Sequence, residues 1–214
     1  MARIVRRLLK HILLTAHGWF RGAAGWLTAR SDLLDQMWLR RRFGSCGSDV
    51  WIRRPDVILG FEFIELGSSI SVQPRCRWEV AQSHASSKTP SLRIGDGLNA
   101  GHGFQIACTE SVTIGRNVLV ATNVLLTDSL HCYEDPSVPI MRQPVVSNGP
   151  VVIEDDCWLG FGCVVLPGVV VGMHSVVGAN AVVVSSVPPF SVVVGSPARV
   201  VRQWNPSTAQ WERR

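Results

Sequence analysis

Six consecutive hexapeptides run from Ile153 to Pro188: IEDDCW, LGFGCV, VLPGVV, VGMHSV, VGANAV and VVSSVP. Each opens on an aliphatic residue: Ile153, Leu159, Val165, Val171, Val177 and Val183. Each carries a compact residue four places later: Cys157, Cys163, Val169, Ser175, Ala181 and Val187. A period of six is neither the 3.6 of a helix nor the 2 of a simple strand, so it marks a repeat architecture. A short strand followed by a sharp corner, three times over, closes one triangular coil. The opening aliphatic residue then points into the coil, and the fifth residue sits at the corner, where only a compact side chain fits. Gly160, Gly168, Gly172 and Gly178 fall where the backbone must turn or come close to its neighbour. The predicted fold is all-β: a solenoid of triangular coils built from hexapeptide repeats.

The period extends upstream. Ile94, Ala100 and Ile106 are spaced by six, as are Ile114, Val120 and Leu126; Leu66 and Val72 form a weaker pair. Four coil starts read alike: ELGSSISV, RIGDGLNA, TIGRNVLV and VIEDDCWL. The register slips by two residues between Ile106 and Ile114, and by a longer segment between Leu126 and Ile153. Such slips become loops on one face of a solenoid. A barrel of short Val-rich strands does not hold a six-residue period over this length.

With 214 residues, the chain has room for one such domain and small appendages. We divide it into a basic N-terminal segment (1–45), a β-helix domain (46–204) with a protruding loop (127–150), and a C-terminal tail (205–214). Aromatic residues make up only 7% of the chain, which suits a narrow stacked core. Six cysteines are present with no C-x-x-C pair. Cys76 and Cys157 occupy compact inward positions, so they read as buried free thiols in a reducing compartment, the cytoplasm, rather than as a disulfide framework.

Residues 1–43 carry nine basic side chains against Asp32 and Asp35, which leaves the rest of the chain at about −2 within a net charge of +5. From Ile4 to Leu14 basic and aliphatic residues alternate at helical spacing. His17 and Arg21 interrupt the apolar run that follows, which is too short for a membrane span and lacks the cleavage pattern of a secretory signal. Two readings stand together: a helical cap over the first coil and its open strand edges, and a basic amphipathic helix making peripheral contact with the inner membrane surface. Charge confined to one end, with no recognised motif, argues against a nucleic-acid partner.

The longest interruption, Thr127 to Pro150, holds Pro136, Pro139, Pro144 and Pro150 and cannot continue a coil. It also holds Asp128, His131, Tyr133, Glu134 and Asp135. A histidine beside carboxylates at the root of a loop on a rigid scaffold suits general-base catalysis, because imidazole titrates near neutral pH. Asp128 either orients His131 or ends the strand with a turn-forming side chain. Cys132 adjoins His131, but adjacent side chains on an extended chain point to opposite faces, which disfavours a Cys–His nucleophile. Trp158 precedes an inward residue and so faces outward, at a ligand cleft or a subunit contact. His102, near the first register slip, is a candidate acceptor-site residue. His84, His102 and His174 lack partners at metal-ligand spacing, so no metal is expected.

Three motifs carry a family resemblance. They are Asp128, His131, Tyr133, Asp135, Pro139 and Ile140 in a D-x-x-H-x-Y-x-D-x-x-x-P-I pattern; Cys157, Trp158, Leu159 and Gly160 at a V-W-I-G coil start; and Val187 to Arg199, ending GSPAR. Over roughly Leu66 to Arg202 the chain resembles the left-handed parallel β-helix (hexapeptide-repeat) acyltransferases, especially the acetyl-CoA-dependent O-acetyltransferases of sugars and bacterial surface polysaccharides, which implies that fold here, with an N-terminal helical segment and a protruding loop. It departs from them at Ser129, where a second histidine is common, and at Gly103, where the galactoside and maltose branch has an asparagine. The resemblance implies acetyl-CoA as co-substrate, a carbohydrate acceptor, a homotrimer with sites between subunits, and direct transfer with His131 as base. It further implies that Trp158, Gly160, Gly178, Arg199 and Arg202 meet the donor, with Arg199 and Arg202 at its nucleotide end. Tyr133, Glu134 and Arg142 of the loop would shape the acceptor site. The remaining readings are a non-catalytic β-helix scaffold, another acyl donor, and an amine acceptor.

Overall fold

A computed structural model describes residues 37–82 and 89–214. The chain divides into two compact units, one ending at Leu39 and the other running from Arg40 to Arg214. Most of the basic segment expected to form an amphipathic helix lies outside the described residues; residues 37–40 are helical. Among the described residues no helix is long and apolar enough to cross a membrane.

The second unit is the expected left-handed parallel β-helix. Short strands repeat in threes, and each strand pairs in parallel with its counterpart in the next coil. Three sheets result, which we term the first, second and third faces. The first face holds Ser45–Cys46, Ile64–Leu66, Ser91–Ile94, Ser111–Ile114, Val151–Ile153 and Val170–Val171. The second starts with Val50–Ile52, Ile70–Val72, Asn99–Ala100, Leu119–Val120, Trp158–Leu159 and Val176–Val177. The third holds Val57–Leu59, Arg77–Val80, Gln105–Cys108, Leu125–Thr127, Val164–Val165 and Val182–Val183.

In-register pairing aligns the inward residues into columns. Leu66, Ile94, Ile114, Ile153 and Val171 stack behind the first face; Ile52, Val72, Ala100, Val120, Leu159 and Val177 stack behind the second. All are buried, and burying each aliphatic side chain contributes roughly 1.5–3 kcal/mol. The third column reads Ile58, Trp78, Ile106, Leu126, Val165 and Val183. Trp78 thus continues the six-residue spacing of Leu66 and Val72, a continuation that an indole in an aliphatic position hides from the pattern. It lies fully buried, edge-on to Phe104, with its indole N–H unpartnered among the described residues.

The compact positions are buried as expected, and so are Cys76, Cys108, Cys157 and Cys163. Burial is the largest cause that pushes the thiols of Cys76, Cys108 and Cys163 up to about 12 and that of Cys157 up to about 11. Between the first and second faces the turn places one residue per coil in the left-handed region: Asp49, Ser69, Gly97, Asn117, Asp156, His174 and Phe190. Asn, Asp and Gly tolerate that conformation best and supply most of the column.

The C-terminal residues are more than a tail. Ser191–Val194 adds a parallel strand to the second face; Arg199–Asn205 then turns back antiparallel, and Gln210–Arg213 pairs with it in turn. The second face therefore has nine strands. The chain reverses between Val194 and Arg199, and the antiparallel pair carries a register shift at Val192/Val193.

Candidate active site

The site grows from the end of the third-face strand Leu125–Thr127. There the chain leaves the coil as a hairpin in which Ser129–His131 pairs antiparallel with Val145–Ser147, setting His131 opposite Val145. Asp128 forms the root. It is fully buried, and its carboxylate accepts from the backbone N–H of Thr109 (2.8 Å), Glu110 (2.8 Å) and Ser111 (2.7 Å) and from the Thr109 hydroxyl (3.2 Å). The expected role of Asp128 as the orienting partner of His131 is therefore corrected. Both oxygens are engaged by the turn that links the preceding coil, so Asp128 fixes the backbone from which His131 springs. The Thr127 hydroxyl adds a bond from Ser129 N–H at 3.1 Å.

Beyond His131 the loop is braced from within. Cys132 N–H donates to Pro144 C=O, and the Gln143 amide donates to the carbonyls of Asp135 and Val138. Asp135 accepts from the Ser137 hydroxyl and N–H, which hold its carboxyl below the usual range. A short 3-10 turn, Ile140–Arg142, brings Met141 and Arg142 back toward the hairpin.

Between this loop and the third face lies an open groove of about 860 Å³. Its floor is the outward column Leu59, Glu79, Ala107 and Thr127, one residue from each successive coil. Ser129, Leu130, His131, Arg142 and Pro144 form the wall. His131 is exposed, and its ring has no hydrogen-bond partner among the described residues, so it is open to a ligand. Cys108 also lines the groove, yet burial and then the Asp128 charge push its thiol up to about 12. It is held as a neutral thiol at physiological pH and is unsuited to nucleophilic attack.

The other sequence-predicted residues are dispersed. Tyr133 and Glu134 stand on the solvent side of the loop, away from the groove lining, with Glu134 accepting from Tyr133 N–H. His102 lies in a separate hollow of about 630 Å³ at the corner between the second and third faces, with Asp56, Arg75 and Arg77. Trp158 is 49% exposed on the outer side of the second face, in register between Leu119 and Val176. The same outward line continues through Val192 to Arg202, and Arg199 flanks it opposite Val194. Gly160 and Gly178 have a packing reason of their own. A Cβ at Gly160 would stand 2.6 Å from the Val177 carbonyl oxygen, and one at Gly178 would stand 2.7 Å from a Val194 methyl. The approach of the next chain segment gives both positions a need for glycine independent of any ligand.

Glu79, Thr109 and Ala107 were missed by sequence reasoning. The signal that finds Glu79 and Ala107 is coil arithmetic: once Trp78 and Ile106 are recognised as inward, each next residue is outward and joins the column that ends at Thr127.

The fold and its hexapeptide columns define a class, the left-handed β-helix proteins built from hexapeptide repeats. Comparison with known proteins agrees. Residues 150–185 match the bacterial transferase hexapeptide model (six repeats), and residues 92–128 match the hexapeptide repeat of succinyl-transferase. These two segments carry hexapeptide-repeat models, and the chain is similar to sugar O-acetyltransferases built from such repeats. It is 38% identical over 127 residues to WbbJ of Escherichia coli K12, a candidate lipopolysaccharide biosynthesis O-acetyl transferase, covering 56% of this chain and 64% of that one. It is 30% identical over 146 residues to the galactoside O-acetyltransferase of Lactococcus lactis, covering 68% and 65%. The chain thus spans just under two thirds of either relative. Among solved structures, the hexapeptide-repeat-containing acetyltransferase VCA0836 from Vibrio cholerae superposes with a TM-score of 0.58 at 27% identity, covering 81% of each chain. AntD, an N-acyltransferase from Bacillus cereus, shares the fold with a TM-score of 0.67 at 18% identity, covering 81% of this chain and 91% of that one.

Proposed function

We propose that the protein transfers an acetyl group from acetyl-CoA to a hydroxyl of a sugar or surface-polysaccharide precursor, with His131 as general base. The observation that carries this reading is an exposed imidazole, unpartnered among the described residues, on a braced hairpin facing a groove whose lining cysteine, Cys108, is kept protonated. His131 takes the proton of the acceptor hydroxyl as that oxygen bonds to the thioester carbonyl carbon. The resulting oxyanion is met by backbone N–H groups. As it collapses the C–S bond breaks, and the proton on His131 passes to the departing thiolate. Neither an acyl-enzyme nor a metal enters.

The donor fits the outer side of the second face. Trp158 offers an apolar shelf, and the same line of strands ends in Arg202, with Arg199 beside it, guanidinium groups suited to phosphates. A galactoside acetyltransferase of the same fold has been solved with coenzyme A. The groove and this line lie on different faces of one prism. A homotrimer resolves that separation by setting His131 of one subunit against the second face of the next. A cytoplasmic site of action at the inner membrane surface accords with a lipid-linked precursor.

The test is calorimetric titration of acetyl-CoA, followed by transfer assays against a panel of glycans with wild type and His131→Ala. Donor binding by both proteins, with transfer only by wild type, is the expected result. Full transfer by the variant, or no donor binding by the folded wild type, would sink the assignment.

A further inference from the structure

The groove below His131 has a floor whose chemistry changes from coil to coil. Thr127, Ala107 and Glu79 lie side by side on the third face, each in register with the next. Adjacent strands are about 4.8 Å apart, so Glu79 stands about 10 Å across the groove from the strand that leads into His131. Ala107, between them, has the smallest side chain of the floor and leaves a depression one strand wide on either side. Glu79 is the only carboxylate among the described residues lining the groove. One of its oxygens, Oε1, is held by the Arg77 guanidinium. That ion pair engages Oε1, while Oε2 has no partner among the described residues and keeps its lone pairs for a ligand.

From this geometry we infer that Glu79 is the specificity-determining residue of the acceptor subsite, and that the subsite takes a neutral pyranose ring bearing vicinal hydroxyls. The inference rests on the transferase reading and deepens it. The ring lies over Ala107. One hydroxyl points to His131, and a hydroxyl pair on the far side of the ring donates to Glu79 Oε2. Carboxylates are strong acceptors for hydroxyl donors, and the Arg77 contact at Oε1 leaves Oε2 to receive them. A uronic acid presented to the same place would meet like charge, and a deoxy sugar would leave the carboxylate without its donor.

The probes are methyl α-D-mannopyranoside and methyl β-D-galactopyranoside, followed by saturation-transfer NMR on wild type, Glu79→Ala and Glu79→Gln, with coenzyme A binding measured by calorimetry on the same samples. The expected result is glycoside binding to wild type that weakens roughly ten- to a hundredfold in Glu79→Ala and by less in Glu79→Gln, with coenzyme A affinity and melting temperature unchanged. Equal glycoside binding by wild type and Glu79→Ala overturns the inference, as does a wild type that binds coenzyme A but neither glycoside. A folded wild type that binds neither coenzyme A nor glycoside removes the transferase reading itself, and the inference with it.

Discussion

Two neighbours at the loop, His131 and Asp128, differ sharply in surroundings: the proposed base is exposed, and the carboxylate is buried and fully engaged. His131 is exposed and unpartnered among the described residues, so replacing it with Ala should leave thermal unfolding unchanged while transfer falls by about 10²–10⁴-fold, the range for losing a general base. Asp128 is buried with four hydrogen bonds. Asp128→Ala strands three backbone donors and should cost about 2–5 kcal/mol, lowering both melting temperature and transfer; lost transfer with an unchanged melting temperature would instead return Asp128 to the chemistry. The thiols give an independent check on the core. Four of the six are buried, with their ionisation pushed up to about 11 or 12. Only Cys46 and Cys132 should react promptly with a thiol-specific reagent at pH 8, and all six once the chain is unfolded; prompt native reaction of Cys108 would contradict the groove geometry.

Corners, more than strands, distinguish one coil from the next. At the first corner Asp155 accepts from the Arg116 N–H (2.7 Å) and pairs with its guanidinium, and both contacts hold its carboxyl below 3.8. A depressed carboxylate contributes stability above its unfolded pKa and loses it as pH falls through the folded value. Asp155→Asn should therefore melt below wild type at pH 7, and the two curves should converge as pH falls below about 3.8; a gap independent of pH would exclude the charge as its source. Gly172 shows the tightest of the close approaches in the lower coils, with a Cβ there meeting Pro189 N at 2.4 Å. Gly172→Ala should destabilise by about 1–3 kcal/mol in chemical denaturation. Such corners also mark what the sequence could reveal. From Ile153 onward the aliphatic and compact positions repeat without a break, and the lower coils are legible by counting. Higher up, Trp78 and the slips around Ile106 obscure the period, and the first coil, with Cys46, Ile52 and Ile58 inward, escapes notice. The antiparallel strands after Gly195 escape it too, because they obey alternation rather than a period of six. His131 and Arg142 were legible through motif and loop. Asp128's true partners were not, since Thr109, Glu110 and Ser111 lie 17–19 residues upstream and become neighbours only when two coils stack.

Considered as a whole molecule, the prism has ends that need closing. At the lower end Val187 bridges to Val171, Ala198 N–H reaches Val182 C=O, and the antiparallel strands extend the second face. Truncation after Ser186 removes all of these and exposes unpaired strand edges, so the shortened protein should melt lower and associate, as light scattering would detect; a monodisperse truncated protein of unchanged stability would show that the cap is dispensable. At the upper end the consequence of Trp78 concerns alignment. A stack of near-identical aliphatic rungs has a degeneracy problem: sliding the chain by one whole turn replaces Val with Ile or Leu and leaves the interior almost as well filled. One indole breaks that translational near-symmetry. It fits between Ile58 and Ile106 and edge-on to Phe104, and one turn away it would collide with a neighbour sized for a branched aliphatic. Trp78 thus acts as an index pin for the stack. The same pin fixes which floor residue faces His131, because Glu79 is the very next residue along the strand.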